Sequence, residues 1–198
     1  MESKEQFERA LGLLGSRLEI EGAPSTILFV CGGSALLVMG FIRRPTKDVD
    51  VVAIGYAAPE GGLIIKSGKP FPDYLAKAAR QVARDLGLDE NWLNSGPADL
   101  MDFGLPEGYN ERTIKHLFGQ VLSIHFLGRF DLIHLKLYAA VDHGPGKHIE
   151  DLLALKPANA EIESAARWAM QHDPSEPFRV ILKDMLKNIG YEEIAEKI

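Results

Sequence analysis

Gly32-Gly33-Ser34 is followed, fourteen positions after the serine, by Asp48-Val49-Asp50, and the two halves of this block suit two sides of one chemistry. On an extended strand alternate side chains share a face, so Asp48 and Asp50 would stand roughly 6 to 7 Å apart while Val49 and Val51 enter the core. Two carboxylates so placed suit a hard divalent cation, Mg²⁺ or Mn²⁺, which takes oxygen ligands and is commonly shared with substrate phosphates. The glycines, lacking side chains, let backbone N–H groups approach an anion, and a helix beginning there favours negative charge. A triphosphate would fit this turn. Arg43, Arg44 and Lys47 lie just ahead of the acids, where they would offset charge on phosphates or on leaving pyrophosphate. No GxxxxGK[ST] run occurs, so the turn is not a Walker-type loop.

The elements that must carry this block follow from the apolar spacing. Phe7, Leu11, Leu14 and Leu18 recur at intervals of three and four, which predicts an amphipathic helix over Ser3–Ile20, ending before Gly22 and Pro24. Thr26–Cys31 is a short, continuous apolar run, expected as a buried strand that Gly32-Gly33 stop. Ser34 is expected to cap a short helix over Ala35–Phe41. A second strand is expected over Asp48–Ile54, then loops over Gly55–Pro72 with a hairpin piece at Leu63–Ile65. Tyr74–Leu86 is helical by spacing, Gly87–Gly108 is mostly turns, and Gln120–Leu127 is a further strand candidate. Beyond it the pattern is helical: Asp131–Asp142, Lys147–Leu155, Ala158–His172, Glu176–Lys187 and a short helix near the end. The expected fold is therefore α/β (α+β), a small mixed sheet with flanking helices and a C-terminal helical part. The expected division is 1–128 for the sheet domain and 129–198 for a helical region packed on it.

Within the first of these late helices, Asp131, His134, Tyr138 and Asp142 share one face, whereas Lys136 falls amid Leu132, Ile133, Ala139 and Ala140. A lysine on a core-facing arc needs a counter-charge or a wet cleft. Phosphates or the acidic pair would serve.

The block VCGGSALLVMGFIRRPTKDVDVVA resembles the nucleotidyltransferase superfamily related to DNA polymerase beta. The signature of that superfamily is a hydrophobic strand, Gly-Gly or Gly-Ser, a short helix, then Asp-x-Asp on the next strand. Arg43 or Arg44, with Thr46, Asp48 and Asp50, looks like the Arg-x-x-Thr-x-Asp-x-Asp form of minimal and toxin-type bacterial members. DLIHLKLYAAVDHGPGKHIEDLLAL is similar to the helical motif of that branch, a Lys followed by a downstream Asp. The resemblance spans residues 26–155 or so.

It implies nucleotide contacts at Gly32, Gly33, Ser34, Arg43, Arg44, Thr46 and Lys47, metal on Asp48 and Asp50, and Lys136 and Asp151 completing a site between sheet and helices. The implied activity is Mg²⁺-dependent transfer from a nucleoside triphosphate to an RNA, protein or small-molecule hydroxyl, with an antitoxin-like partner protein if the chain is a toxin. One departure matters: many members carry a third carboxylate on a later strand, and Gln120–Leu127 holds none. It motivates a second expectation, a catalytically weak nucleotide-binding module that acts through a partner protein.

Composition narrows the rest. The 198 residues suffice for one large domain, or one compact domain with a helical appendage. Lys and Arg total 22 against 28 Asp and Glu, a net charge of -6, which disfavours long nucleic acid held by global electrostatics. A single cysteine, Cys31, excludes a disulfide framework or a Cys-ligated zinc site within one chain and reads as a small core residue. The start carries acids and lacks the apolar core of a signal peptide, and no stretch approaches the ~18 apolar residues of a membrane span. The expectation is a cytoplasmic protein without membrane contact. His143 and His148, at i and i+5, lack a third ligand in sequence and are a poor zinc pair. His125 is expected as a satisfied polar group and Trp92 as a pin holding its loop to the core.

Overall fold

Helix α1 (Lys4–Ile20) buries Phe7, Leu11, Leu14 and Leu18 completely in the computed structural model of the chain, which describes residues 4–58 and 60–198. The predicted first residue, Ser3, lies outside the described residues. The chain divides into two compact units: one runs through Leu105 and takes up Asn110–Leu127, the other joins Pro106–Tyr109 to Gly128–Ile198.

In the first unit a continuous apolar run again makes the central strand, because only a strand covered on both faces tolerates one. β1 (Thr26–Cys31) pairs antiparallel with β2 (Val49–Ala57) and parallel with β6 (Leu122–Phe126). β3 (Leu63–Ser67) extends the sheet beyond β2, β5 (Ile114–Phe118) extends it beyond β6, and the two-residue β4 (Leu93–Asn94) lies parallel against the start of β2. The result is a six-stranded mixed sheet of order β3-β2-β1-β6-β5, with β4 off that path. Helix α3 (Asp73–Leu86) buries Leu75, Ala78, Ala79 and Val82. Ion pairs Lys77–Glu21 and Arg17–Asp85 join it to α1 and the turn that follows. Gly87 stops α3 in the left-handed region, and Leu88 N–H closes on Ala83 O at 2.9 Å.

Three local expectations shift. Helix α2 (Gly32–Val38) starts at the first glycine, so Ser34 lies inside its first turn and donates to Cys31 O at 3.2 Å instead of capping. It stops before Phe41 because Gly40, at φ +77, lets Phe41 N–H turn back to Leu36 O. β2 begins at Val49, leaving Asp48 just ahead of the strand. The turn-rich stretch after β4 forms a 3₁₀ turn over Gly96–Asp99 and a short α4 (Leu100–Phe103).

The second unit is helical: α5 (Arg129–Asp142), α6 (Gly146–Ala154), α7 (Asn159–His172), α8 (Glu176–Asn188) and α9 (Glu192–Ala195). Helix α5 is its axis, with every residue from Asp131 to Leu137 buried, the polar Asp131 and His134 included. His134 meets Phe130 O at 2.8 Å and Ser164 Oγ at 3.1 Å. Tyr138, Trp168, His172 and Phe178 pack ring against ring between α5, α7 and α8. Arg129 donates to Leu155 O at 2.8 Å and Lys156 O at 2.7 Å, where α6 ends, and pairs with Glu161 at the start of α7. One guanidinium thereby satisfies carbonyls that the end of α6 leaves open.

Candidate functional site

The turn and the second acid are in contact. Gly32, the last residue's neighbour at the end of β1, has φ +72, and a Cβ built on it would collide with the Asp50 carboxylate. No other residue type fits there without strain, since left-handed backbone and missing side chain are required together. Register explains the meeting: Cys31 pairs with Asp50 across the β1–β2 ladder, so the residue after Cys31 turns over the acid.

Gly33 gathers the loop. Thr46 Oγ1 lies 3.3 Å, and an Arg44 guanidinium nitrogen 3.9 Å, from where its Cβ would stand. Thr46 is buried and donates to Asp48 O at 3.1 Å, which ties the loop's end to the first acid's backbone. Val49 is fully buried, and Asp48 and Asp50 on either side of it are half-buried. Arg43 and Lys47 are exposed and Arg44 half-buried. A cleft of about 490 Å³ opens beside Asp48, with Lys47, Leu86, Gly87, Leu88 and Asp89 among its lining residues.

The structure thus gathers Gly32, Gly33, Arg44, Thr46 and Asp50, joins Asp48 to them through its backbone carbonyl, and turns Ser34 away. Ser34 presents no hydroxyl there, since its side chain is buried and spent on Cys31 O. The donor chemistry suits a hard cation: two carboxylates, all oxygen, at a strand start that solvent reaches. Among the described residues no group of three or more His, Cys, Asp or Glu side chains forms a metal cage. A cation would therefore rest on the acidic pair together with substrate oxygens.

Lys136 and Asp151 meet within the helical unit. Lys136, on α5, places its Nζ 2.7 Å from Asp151 Oδ2 on α6, with the residues 6% and 1% exposed. The inward direction expected for the lysine is correct, but the α5–α6 hairpin supplies its counter-charge, in place of phosphates or the acidic pair. His148 lies one turn before Asp151; burial foremost, then Lys136, Lys147 and His143, pushes its pKa down, against an opposing pull from Asp151. His143 and His148 bring their rings to 6.2 Å, without the third ligand a zinc site needs.

Two residues were misjudged or missed. Asn94, read only as part of a turn, donates to Asp50 Oδ1 at 3.1 Å. His125, expected as satisfied, is buried on β6 with no partner for Nδ1. Its ring meets Phe29 edge-on at 5.1 Å, and burial, then Lys115 opposite it on β5, pushes its pKa down to about 4. Trp92 does pin its loop: the indole N–H donates to Ala79 O at 2.9 Å inside the core.

With this geometry in place, the chain can be set beside known proteins. The model of a family described as a nucleotidyltransferase of unknown function (DUF6036) matches residues 17–156, and the chain belongs to that family. The matched span holds every candidate position from Gly32 to Asp151. No curated protein and no solved structure matches the chain. No helix among the described residues is long and apolar enough to cross a membrane.

Proposed function

We propose that this member of the nucleotidyltransferase family moves a nucleoside monophosphate from a nucleoside triphosphate to a hydroxyl acceptor, using Asp48, Asp50 and the Gly32-Gly33 turn. The acceptor hydroxyl gives its proton to solvent as its oxygen bonds to the α-phosphorus, the bond to the bridging oxygen breaks, and pyrophosphate leaves. Asp48 and Asp50 would hold Mg²⁺ or Mn²⁺, which when bound supplies positive charge against the phosphates. The Gly32-Gly33 turn admits the triphosphate close to backbone N–H groups, and Arg44 beside Gly33 balances its charge. The observation that carries this reading is the seating of the Asp50 carboxylate under a glycine of positive φ, which places a side-chain-free turn directly against the acid.

The acceptor class, RNA, protein or small molecule, is read out by the test. Each α-labelled triphosphate is offered with and without Mg²⁺ to total RNA and to extract protein, comparing wild type with Asp48→Ala plus Asp50→Ala. Metal-dependent label that moves with wild type alone supports transfer, and the labelled species names the acceptor. Equal labelling by the double variant overturns it. If the chain is the toxin of a toxin–antitoxin pair, an antitoxin-like partner added to the assay suppresses the label.

A second reading is favoured by β6. Its residues, Leu122-Ser-Ile-His-Phe126, hold Ser123 and His125 and no carboxylate. A chain that binds nucleotide in a metal-dependent way yet labels nothing would be a binding module acting through a partner protein.

A further inference from the structure

β4 has only two residues, yet it lies parallel against the start of β2 and sets Asn94 opposite Asp50. Two hydrogen bonds fix the Asn94 amide. Its Oδ1 accepts from Gly96 N–H at 2.9 Å, and its Nδ2 donates to Asp50 Oδ1 at 3.1 Å. The orientation is forced by this pairing: a flipped amide would set oxygen against carboxylate and NH₂ against N–H. Gly96 keeps the first bond close, since a Cβ there would stand 3.1 Å from Asn94 Oδ1.

The segment that carries Asn94 is itself anchored. Val49 N–H donates to Trp92 O at 2.6 Å, and the Trp92 indole is bonded to Ala79 O in α3. The amide is therefore held by the frame of the sheet, on the residues next to the acids. Gly32 confines the same carboxylate from another side.

We propose that Asn94 is a positioning residue for Asp50: its amide fixes one carboxylate oxygen so that the group is oriented before a divalent cation arrives. The inference rests on Asp48 and Asp50 being the metal-holding pair. An amide NH₂ suits the task because it stabilises the ionised carboxylate, adds no negative charge to a place that already has two acids, and has no lone pair to compete for the cation. Outer partners of this kind typically change metal affinity by 10- to 100-fold.

The alternative is that Asn94 only braces its own loop through Gly96, and two variants separate these roles. Asn94→Ala removes both bonds. Asn94→Ser keeps an acceptor for the N–H two residues on, as serine turns do, but its hydroxyl falls short of Asp50. Mn²⁺ binding is followed by the electron paramagnetic resonance signal of free Mn²⁺, with thermal unfolding of the metal-free chain and metal-free triphosphate binding measured alongside. Both variants are expected to bind Mn²⁺ about tenfold more weakly, Asn94→Ser with unchanged unfolding temperature and metal-free triphosphate binding. Should Asn94→Ser bind Mn²⁺ as wild type does while Asp50→Ala has lost it, the positioning role is overturned and the metal pair stands. A wild-type chain that takes up no Mn²⁺, with or without triphosphate, overturns the metal pair itself and this inference with it.

Discussion

The sheet unit and the helical unit each hold a carboxylate in a defined setting, one half-buried and the other sealed in. Asp151 sits 2.7 Å from Lys136 at 1% exposure, so its counter-ion is part of the fold. Asp50 is half-buried at a strand start, where an amide and a glycine shape its surroundings. An acid sealed in with the lysine of a packed helix is out of reach of a ligand, whereas one half-buried at a strand start stays within reach of what arrives. Residue type alone does not separate the two, because both are aspartates within one family match.

The largest effect should come from removing the two half-buried acids of the sheet unit. Asp48→Ala plus Asp50→Ala is expected to lower label transfer by ~10³-fold or more, since charge stabilisation at a reacting phosphate is a dominant contribution. The unfolding temperature should stay close to wild type; a collapse of stability instead would make these acids structural and break the contrast.

The closed pair should behave the other way. Lys136→Met leaves Asp151 buried without its lysine and is expected to cost about 3–5 kcal/mol, measured by urea unfolding. Lys136→Met with Asp151→Leu should recover much of that loss, because packed apolar groups can replace a buried pair. An Lys136→Met chain as stable as wild type would remove the structural half of the comparison.

His125 sharpens the contrast inside the sheet unit, being titratable and closed there. Its folded pKa of about 4 lies below the 6.5 of an ordinary histidine, so between those values the unfolded chain binds a proton that the folded chain refuses. Stability should therefore fall as pH drops from about 6.5 towards 4, by about 2 kcal/mol at pH 5 from this residue. His125→Leu should flatten that share of the pH profile, leaving the shares of His148 and His172, whose pKa values burial also lowers. An unchanged profile would show that His125 takes up a proton as readily in the fold as in the unfolded chain.

The smallest effect is expected at Gly32. Gly32→Ala introduces left-handed backbone strain of about 1–2 kcal/mol and pushes against the Asp50 carboxylate. Its label transfer should fall out of proportion to its stability. Equal losses in both would mean that the turn serves the fold alone.

Much of this was legible because the strongest patterns are local. The buried face of α1, the continuous run of β1, the helices from α5 onward and the Gly32–Asp50 block all follow from spacing that a short window contains. β5 was missed because Ile114-Lys-His-Leu-Phe118 is an edge strand whose residues are half-buried or exposed, so no apolar alternation marks it. The lysine's inward direction could be read from periodicity, but its partner lies on the next helix and depends on how the two helices fold back. Asn94 had no local signal: it matters only because a two-residue parallel pairing, set by the return of the chain from α3, brings it opposite Asp50.

Trp92 has a further use beyond pinning its loop. The chain contains two tryptophans, and each unit holds one. Trp92 is fully buried in the sheet unit, with its carbonyl on Val49 N–H, while Trp168 stacks edge-on against His172 at 4.2 Å among the helices. Intrinsic fluorescence therefore carries two separate optical reports. In a Trp168→Phe chain the remaining emission comes from the residue whose backbone carbonyl accepts from Val49, between the two acids, a built-in reporter of events at that strand start that needs no attached dye.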